Sequence, residues 1–99
     1  MIDRGGFMGW LRKYACVAAK DYPLFSAGAL RIIIDYAGVL GIKPSLNDPE
    51  FTRLATVVWR LLKQLNTEGY IVLTGVNNSI DLYHAVVNIP REVLNCGGV

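Results

Sequence analysis

The segment from Asn47 to Gly69 constrains the fold more than any other part of this 99-residue sequence. It opens with Asn-Asp-Pro-Glu, in which Asn or Asp can cap a helix, Pro suits the first helical position and Glu suits the first turn. The apolar residues that follow recur at helical spacing: Phe51, Leu54, Ala55, Val58, Leu61, Leu62 and Leu65. This pattern predicts an amphipathic helix over about 49–67, which Gly69 ends in a left-handed conformation.

The composition predicts one small domain. Hydrophobic residues make up 53% of the chain and charged residues 18%, which excludes a disordered protein. Two domains would each be too small to bury a core. We therefore expect a single domain over residues 1–99, of the α+β class and mostly α.

Two further helices are predicted before residue 42. The first covers about 7–20 and is marked by apolar residues at helical spacing, namely Phe7, Leu11, Tyr14 and Ala18. The second covers about 26–40, with Ser26 as its N-terminal cap and Gly41 at its C-terminal end.

The most hydrophobic window, residues 24–40, raises the question of a membrane span. It contains Arg31 and Asp35, each of which costs about 2.5–3.5 kcal/mol at a membrane centre. These residues lie four apart and share one helical face, so a core helix with one polar stripe is favoured over a span. A strand is the competing interpretation at 32–34, where three β-branched residues are consecutive. The length of the apolar run and the Arg31/Asp35 pair favour a helix.

The pattern of apolar residues changes at residue 70 from helical to strand-like. Residues 70–74 and 80–88 are rich in β-forming side chains, and they flank a Gly/Asn turn cluster at 75–79. Two such runs predict an antiparallel hairpin over about 70–88, which Pro90 ends.

Residues 56–71 resemble the third helix and first wing strand of winged helix-turn-helix proteins. That family shows two leucines three apart, then a glycine, then two apolar residues that enter the hairpin. The matching positions here are Leu62, Leu65, Gly69, Tyr70 and Ile71. The resemblance is closest over 56–89, and it implies a three-helix winged helix-turn-helix fold whose C-terminal β-hairpin is the wing. One departure is that 51–58 contains no turn residue, which predicts one long helix joined to the second helix by 41–48.

The outer side of the third helix predicts a DNA-binding face. Successive residues 100° apart place polar side chains opposite the apolar stripe. Arg and Lys reach phosphates or guanine edges, and Thr and Gln bond bases or phosphates. The predicted contacts are Arg53, Thr56, Arg60, Lys63, Gln64 and Thr67, with Asn77 and Asn78 at the wing tip. The alternative is an ordinary solvated helix face, and a wing tip without Lys or Arg counts against strong binding through the wing.

Aromatic residues predict a surface for a partner or a second copy of the chain. The residues assigned to this interface are Phe7, Trp10, Tyr14 and Trp59. A two-fold homodimer would present two third helices to a palindromic site. The alternatives are that the first helix completes the monomer core and that Trp59 packs under the wing.

The expected function is therefore sequence-specific binding of double-stranded DNA by a cytoplasmic, nucleoid-associated transcription regulator, with the third helix in the major groove. The net charge of only +2 means that a local patch must bind the polyanion. The alternative is a winged-helix module that contacts protein within a larger assembly and does not bind DNA. The near-neutral charge, the uncharged wing and the apolar composition favour that alternative.

No enzyme, cofactor or small-molecule ligand is predicted. The single histidine, His84, falls in a predicted strand, and no serine lies in a nucleophile motif. Cys16, Cys96 and His84 offer no close pair of metal ligands, and no glycine-rich phosphate motif occurs. We expect Cys16 in the core, and Cys96 either as a free thiol or as a bridge between subunits.

Overall fold

The computed structural model describes residues 3–18, 24–76, 80–90 and 93. Within these residues the chain forms three helices and a three-stranded antiparallel sheet. The elements follow in the order α1 Arg4–Ala18, β1 Leu24–Gly28, α2 Ala29–Leu40, α3 Pro49–Thr67, β2 Val72–Thr74 and β3 Val86–Pro90. The fold is the predicted α+β class, mostly helical, with a winged-helix-like layout.

The third helix has the bounds that the sequence predicts. The side chain of Asp48 accepts a hydrogen bond from the backbone N–H of Glu50 at 2.9 Å, which caps the first turn. At the other end Gly69 has a φ of 86°, and the N–H of Tyr70 donates to the carbonyl of Leu65 at 3.0 Å. This Schellman arrangement satisfies carbonyl groups that the helix end leaves free. The apolar side of α3 packs into the core through Phe51, Leu54, Ala55, Val58, Leu62 and Leu65, while Leu61 is half-buried.

The first two helices differ from their predicted bounds. Helix α1 begins at Arg4, three residues early, because the Oδ1 of Asp3 accepts a hydrogen bond from the N–H of Gly6 at 2.6 Å. Residues 19 and 20 of the predicted helix lie outside the described residues. Helix α2 begins at Ala29, after the N-cap Gly28, so the assignment of Ser26 as its cap is wrong.

Ser26 lies instead in β1, because pairing with β3 provides hydrogen-bond partners for the backbone of this segment. The strand order is β1-β3-β2, and Ser26 is opposite Asn88, which in turn is opposite Val72. The Asn88 side chain accepts a hydrogen bond from the Ser26 hydroxyl at 2.8 Å and donates to the Val72 carbonyl at 3.1 Å. One amide thus links all three strands.

The hairpin forms as predicted, but its second strand begins at Val86 rather than at residue 80. Residues 82–84 form a turn, in which the carboxylate of Asp81 accepts from the N–H of Tyr83 at 2.9 Å and of His84 at 3.0 Å. His84 therefore lies in the loop and not in a strand. Pro90 is the last residue of β3 and lies opposite Leu24, so the described pairing ends at this residue as predicted.

Cys16 is half-buried against the core, and it is disulfide-bonded. The other cysteine of the sequence, Cys96, lies outside the described residues. Among the described residues, no helix is both long enough and apolar enough to cross a membrane.

Candidate nucleic-acid interface

The outward side of α3 brings six of the predicted DNA-binding residues onto one exposed surface, which we call the α3 outer face. Its members are Arg53, Thr56, Arg60, Lys63, Gln64 and Thr67, all of them exposed. From Arg53 to Thr67 the face runs for about 21 Å at the helical rise of 1.5 Å per residue. The other two predicted contacts, Asn77 and Asn78, lie outside the described residues.

The positive charge of the α3 outer face is not neutralised by neighbouring acids. In the described part of the chain, the ion pairs join Arg4 to Glu68, Arg31 to Asp35 and His84 to Asp81. Arg53, Arg60 and Lys63 belong to none of them. The face thus carries three cations that are available to a polyanion.

Glu68, which follows α3 directly, is neutralised from another helix. Arg4 Nη1 donates to Glu68 Oε2 at 2.7 Å, and Arg4 Nη2 bonds the other carboxylate oxygen. The hydrogen bond from Arg4 holds the pKa of Glu68 below its ordinary value, and the same bond raises the pKa of Arg4. Because Glu68 is paired with Arg4, it does not neutralise the cations of the α3 outer face.

The two threonines of the face are set as hydrogen-bond acceptors. Thr56 Oγ1 donates to the carbonyl of Thr52 at 3.0 Å, and Thr67 Oγ1 donates to the carbonyl of Lys63 at 3.1 Å. These bonds to the preceding turn use the only proton of each hydroxyl and leave its lone pairs free. In this state each threonine can accept from a base amino group but does not donate to a phosphate.

Trp59 borders the α3 outer face and contacts one of its cations. The indole is half-buried and packs against the core, and Lys63 Nζ lies 5.8 Å from the ring centroid. That distance is within the range of a cation–π interaction. The sequence contained the signal, since residues four apart meet on a helix, but the prediction assigned Trp59 to a partner surface and did not pair it with Lys63.

The aromatic residues of α1 face mostly inward. Phe7 is 0% exposed, so it belongs to the core and cannot take part in the partner interface predicted for it. Trp10 stacks on Tyr14 with ring centroids 4.8 Å apart, and both are half-buried. The Tyr14 hydroxyl donates to Asp35 Oδ2 at 2.6 Å. Only parts of the Trp10 and Tyr14 rings remain for a partner to contact.

The described residues between β2 and β3, which are 75–76 and 80–85, expose apolar side chains. Val76, Ile80 and Tyr83 are 52%, 48% and 60% exposed. The loop sequence contains no Lys or Arg. Its histidine, His84, lies with Nδ1 3.1 Å from both oxygens of Asp81, and this hydrogen bond lowers the pKa of Asp81.

The polar groups of the α3 outer face can form ion pairs and hydrogen bonds. Guanidinium, ammonium, hydroxyl and amide groups recognise phosphates and base edges. Within the described residues, no group of His, Cys, Asp and Glu side chains could hold a metal ion. In comparisons with known proteins, no family model, curated protein or solved structure matches this chain.

Proposed function

We propose that this protein binds double-stranded DNA in a sequence-specific manner and regulates transcription, with α3 in the major groove. The observation that carries the proposal is the α3 outer face, on which three cations without acidic partners line one exposed side of a helix. The major groove is about 12 Å wide and admits a single α-helix. The opposite side of α3 is buried in the core, which fixes the direction of the outer face.

The side chains of the face divide by chemistry. Arg53 and Arg60 lie seven residues, or two helical turns, apart along the face, and their planar forks suit the paired acceptors of guanine. Gln64 is suited to adenine, and Thr56 can accept from a base amino group. Asn77 and Asn78 belong to the proposal as phosphate contacts of the wing.

The proposal also includes a homodimer in which Trp10, Tyr14 and Trp59 contribute to subunit or partner contacts. Two copies of α3 related by a two-fold axis would read two half-sites of a palindrome. The proposal also places the protein with the nucleoid in the cytoplasm, with Cys16 disulfide-bonded. Intracellular disulfides are rare in mesophiles and common in hyperthermophiles. The proposal therefore implies a cell whose cytoplasm keeps the disulfide of Cys16 oxidised.

The test is the double variant Arg60→Ala with Lys63→Ala, measured by a mobility shift on duplex DNA over a series of salt concentrations. We expect affinity to fall about 10-fold or more, because a base contact and a phosphate contact are lost together. The slope of log K against log salt should become shallower by about 0.9 for each phosphate contact removed.

A matched control removes the same charge from another exposed surface. Arg12→Ala with Lys13→Ala changes α1, where both side chains are exposed and neither is ion-paired within the described residues. This control should keep the affinity and the slope of the wild type within about twofold. An unchanged affinity in the α3 variant, or an equal loss in both variants, would contradict the proposal.

The second candidate function is a protein-interaction module in a larger assembly. The observation that favours it is the wing, which exposes Val76, Ile80 and Tyr83 and has no Lys or Arg. Exposed apolar side chains concentrated in one short segment of the sequence favour a protein interface over a phosphate-binding surface. Absence of duplex binding by the wild type at low salt, where phosphate contacts are strongest, would favour this candidate over DNA binding.

A further inference from the structure

We propose that Trp59 is a positioning residue that holds the ammonium of Lys63 beside the sheet-facing edge of α3, where Lys63 binds a backbone phosphate of the duplex. The inference rests on the proposed DNA-binding function and assigns a role within it to a residue outside the α3 outer face. It is carried by the 5.8 Å approach of Lys63 Nζ to the Trp59 ring centroid.

The side of the helix on which this pair lies follows from Asn66. Asn66 Oδ1 accepts a hydrogen bond from the backbone N–H of Leu73 in β2 at 3.1 Å, so its flank of α3 faces the sheet. Trp59 lies seven residues before Asn66, which is two helical turns and the same flank. Lys63 lies between this flank and the centre of the outer face. A helix that enters a groove has a phosphate backbone along each edge, and Lys63 is at the edge nearest the sheet.

An aromatic ring holds a lysine without cancelling its charge. Arg31 shows the contrast, because Asp35 Oδ2 lies 3.3 Å from its Nε and neutralises it. The ring of Trp59 attracts the Lys63 ammonium through its quadrupole, brings no negative charge, and leaves the full charge for a phosphate. The indole is itself fixed by packing against the core, so it restricts a lysine side chain that would otherwise lose rotamer entropy on binding.

Arg60 has a different environment and a different role. It lies near the centre of the outer face, and among the described residues it contacts neither an acid nor an aromatic ring. Its guanidinium is free to match a base edge in the groove. Arg60 is therefore assigned to sequence readout and Lys63 to anchoring, which is independent of sequence.

A double-mutant cycle between Trp59→Leu and Lys63→Gln tests this proposal, with duplex affinity measured over a salt series. Lys63→Gln should reduce the slope of log K against log salt by about 0.9 and weaken specific and random duplexes alike. Trp59→Leu should weaken both duplexes by roughly 2- to 5-fold, the size of an exposed cation–π contact. In the Lys63→Gln background, Trp59→Leu should cause no further loss.

Trp59 also packs against the core, so the test must separate positioning from stability. Trp59→Phe keeps an aromatic face and should restore most of the affinity, and thermal unfolding shows whether each variant is folded. Lys13→Gln removes a lysine from α1 and should leave the salt slope unchanged. A defect of Trp59→Leu that is equal in both backgrounds would be structural and would overturn the proposal.

The failure of this inference is distinguishable from that of the proposed function. If the wild type does not bind duplex DNA, the proposed function fails and this inference fails with it. If Arg60→Ala weakens binding while Lys63→Gln leaves both affinity and slope unchanged, only the role of the Trp59–Lys63 pair is overturned.

Discussion

At the scale of single residues, Tyr14 joins α1 to α2 by one hydrogen bond, donated to Asp35 Oδ2 at 2.6 Å. Tyr14→Phe keeps the stacking on Trp10 but removes this donor, so we expect a loss of about 1 kcal/mol in the free energy of unfolding. Urea unfolding measures the change. Tyr83→Phe is the control, because the Tyr83 side chain is exposed and should contribute nothing. A loss of equal size in both variants would contradict the assignment.

The same bond should be visible in the pH dependence of stability. Burial first, and the hydrogen bond to Asp35 second, raise the pKa of Tyr14 above its ordinary value near 10. A raised pKa in the folded state means that the contribution of Tyr14 is complete below about pH 10 and is lost as pH rises through the folded value. Tyr14→Phe should therefore lose less stability than the wild type above pH 10. Tyr36 should contribute to the alkaline loss that remains, because burial raises its pKa as well.

At the scale of the elements, glycines at helix ends and in helix interiors should respond oppositely to alanine. Gly69 ends α3 with a φ of 86°, where an L side chain costs about 1–2 kcal/mol, so Gly69→Ala should destabilise by that amount. Gly38 lies within α2, and Gly38→Ala should stabilise by about 0.5–1 kcal/mol. At neither position would the added Cβ meet an atom within 4 Å. Unfolding of both variants isolates the backbone effect, and changes of the same sign would refute it.

Helix α3 could be predicted from the sequence to the residue because its signals are local. The cap, the apolar stripe and the terminal glycine all lie within residues 47–69. Strand β1 could not, because its formation depends on pairing with a strand about 60 residues later, as Ser26 opposite Asn88 shows. The sequence around Ser26 is equally compatible with a helix cap, and only the partner strand distinguishes the two. Non-local pairing thus decides what local propensity leaves open.

The candidate site divides in the same way. The α3 outer face follows from helical periodicity alone, and six of its predicted residues are exposed together. The interface predicted for α1 failed at Phe7, which is fully buried, because periodicity shows which side of a helix is apolar but not what covers that side. The neutralisation of Glu68 by Arg4 joins residues 64 apart, and no sequence pattern indicates it.

At the scale of the whole molecule, salt dependence should reflect the local face rather than the net charge. The chain carries only +2, and that excess alone would give weak attraction to DNA. Three phosphate contacts by Arg53, Arg60 and Lys63 would instead give a slope of about −2.7 in log K against log salt. The slope approaches this limit on random duplex, where both arginines are free to contact phosphates.

The same slope reports the number of protomers that engage DNA. A homodimer that places two α3 outer faces on a palindromic duplex should show a slope about twice that of one face. A duplex with a single half-site should return the slope of one face, and light scattering gives the subunit count of the free protein. Equal slopes on the two duplexes, with a monomeric mass in solution, would contradict the dimer and leave one helix as the whole contact. A doubled slope with a dimeric mass would mean that the half-buried Trp10 and Tyr14 rings, or the exposed apolar side chains of the wing, must be tested as the subunit contact.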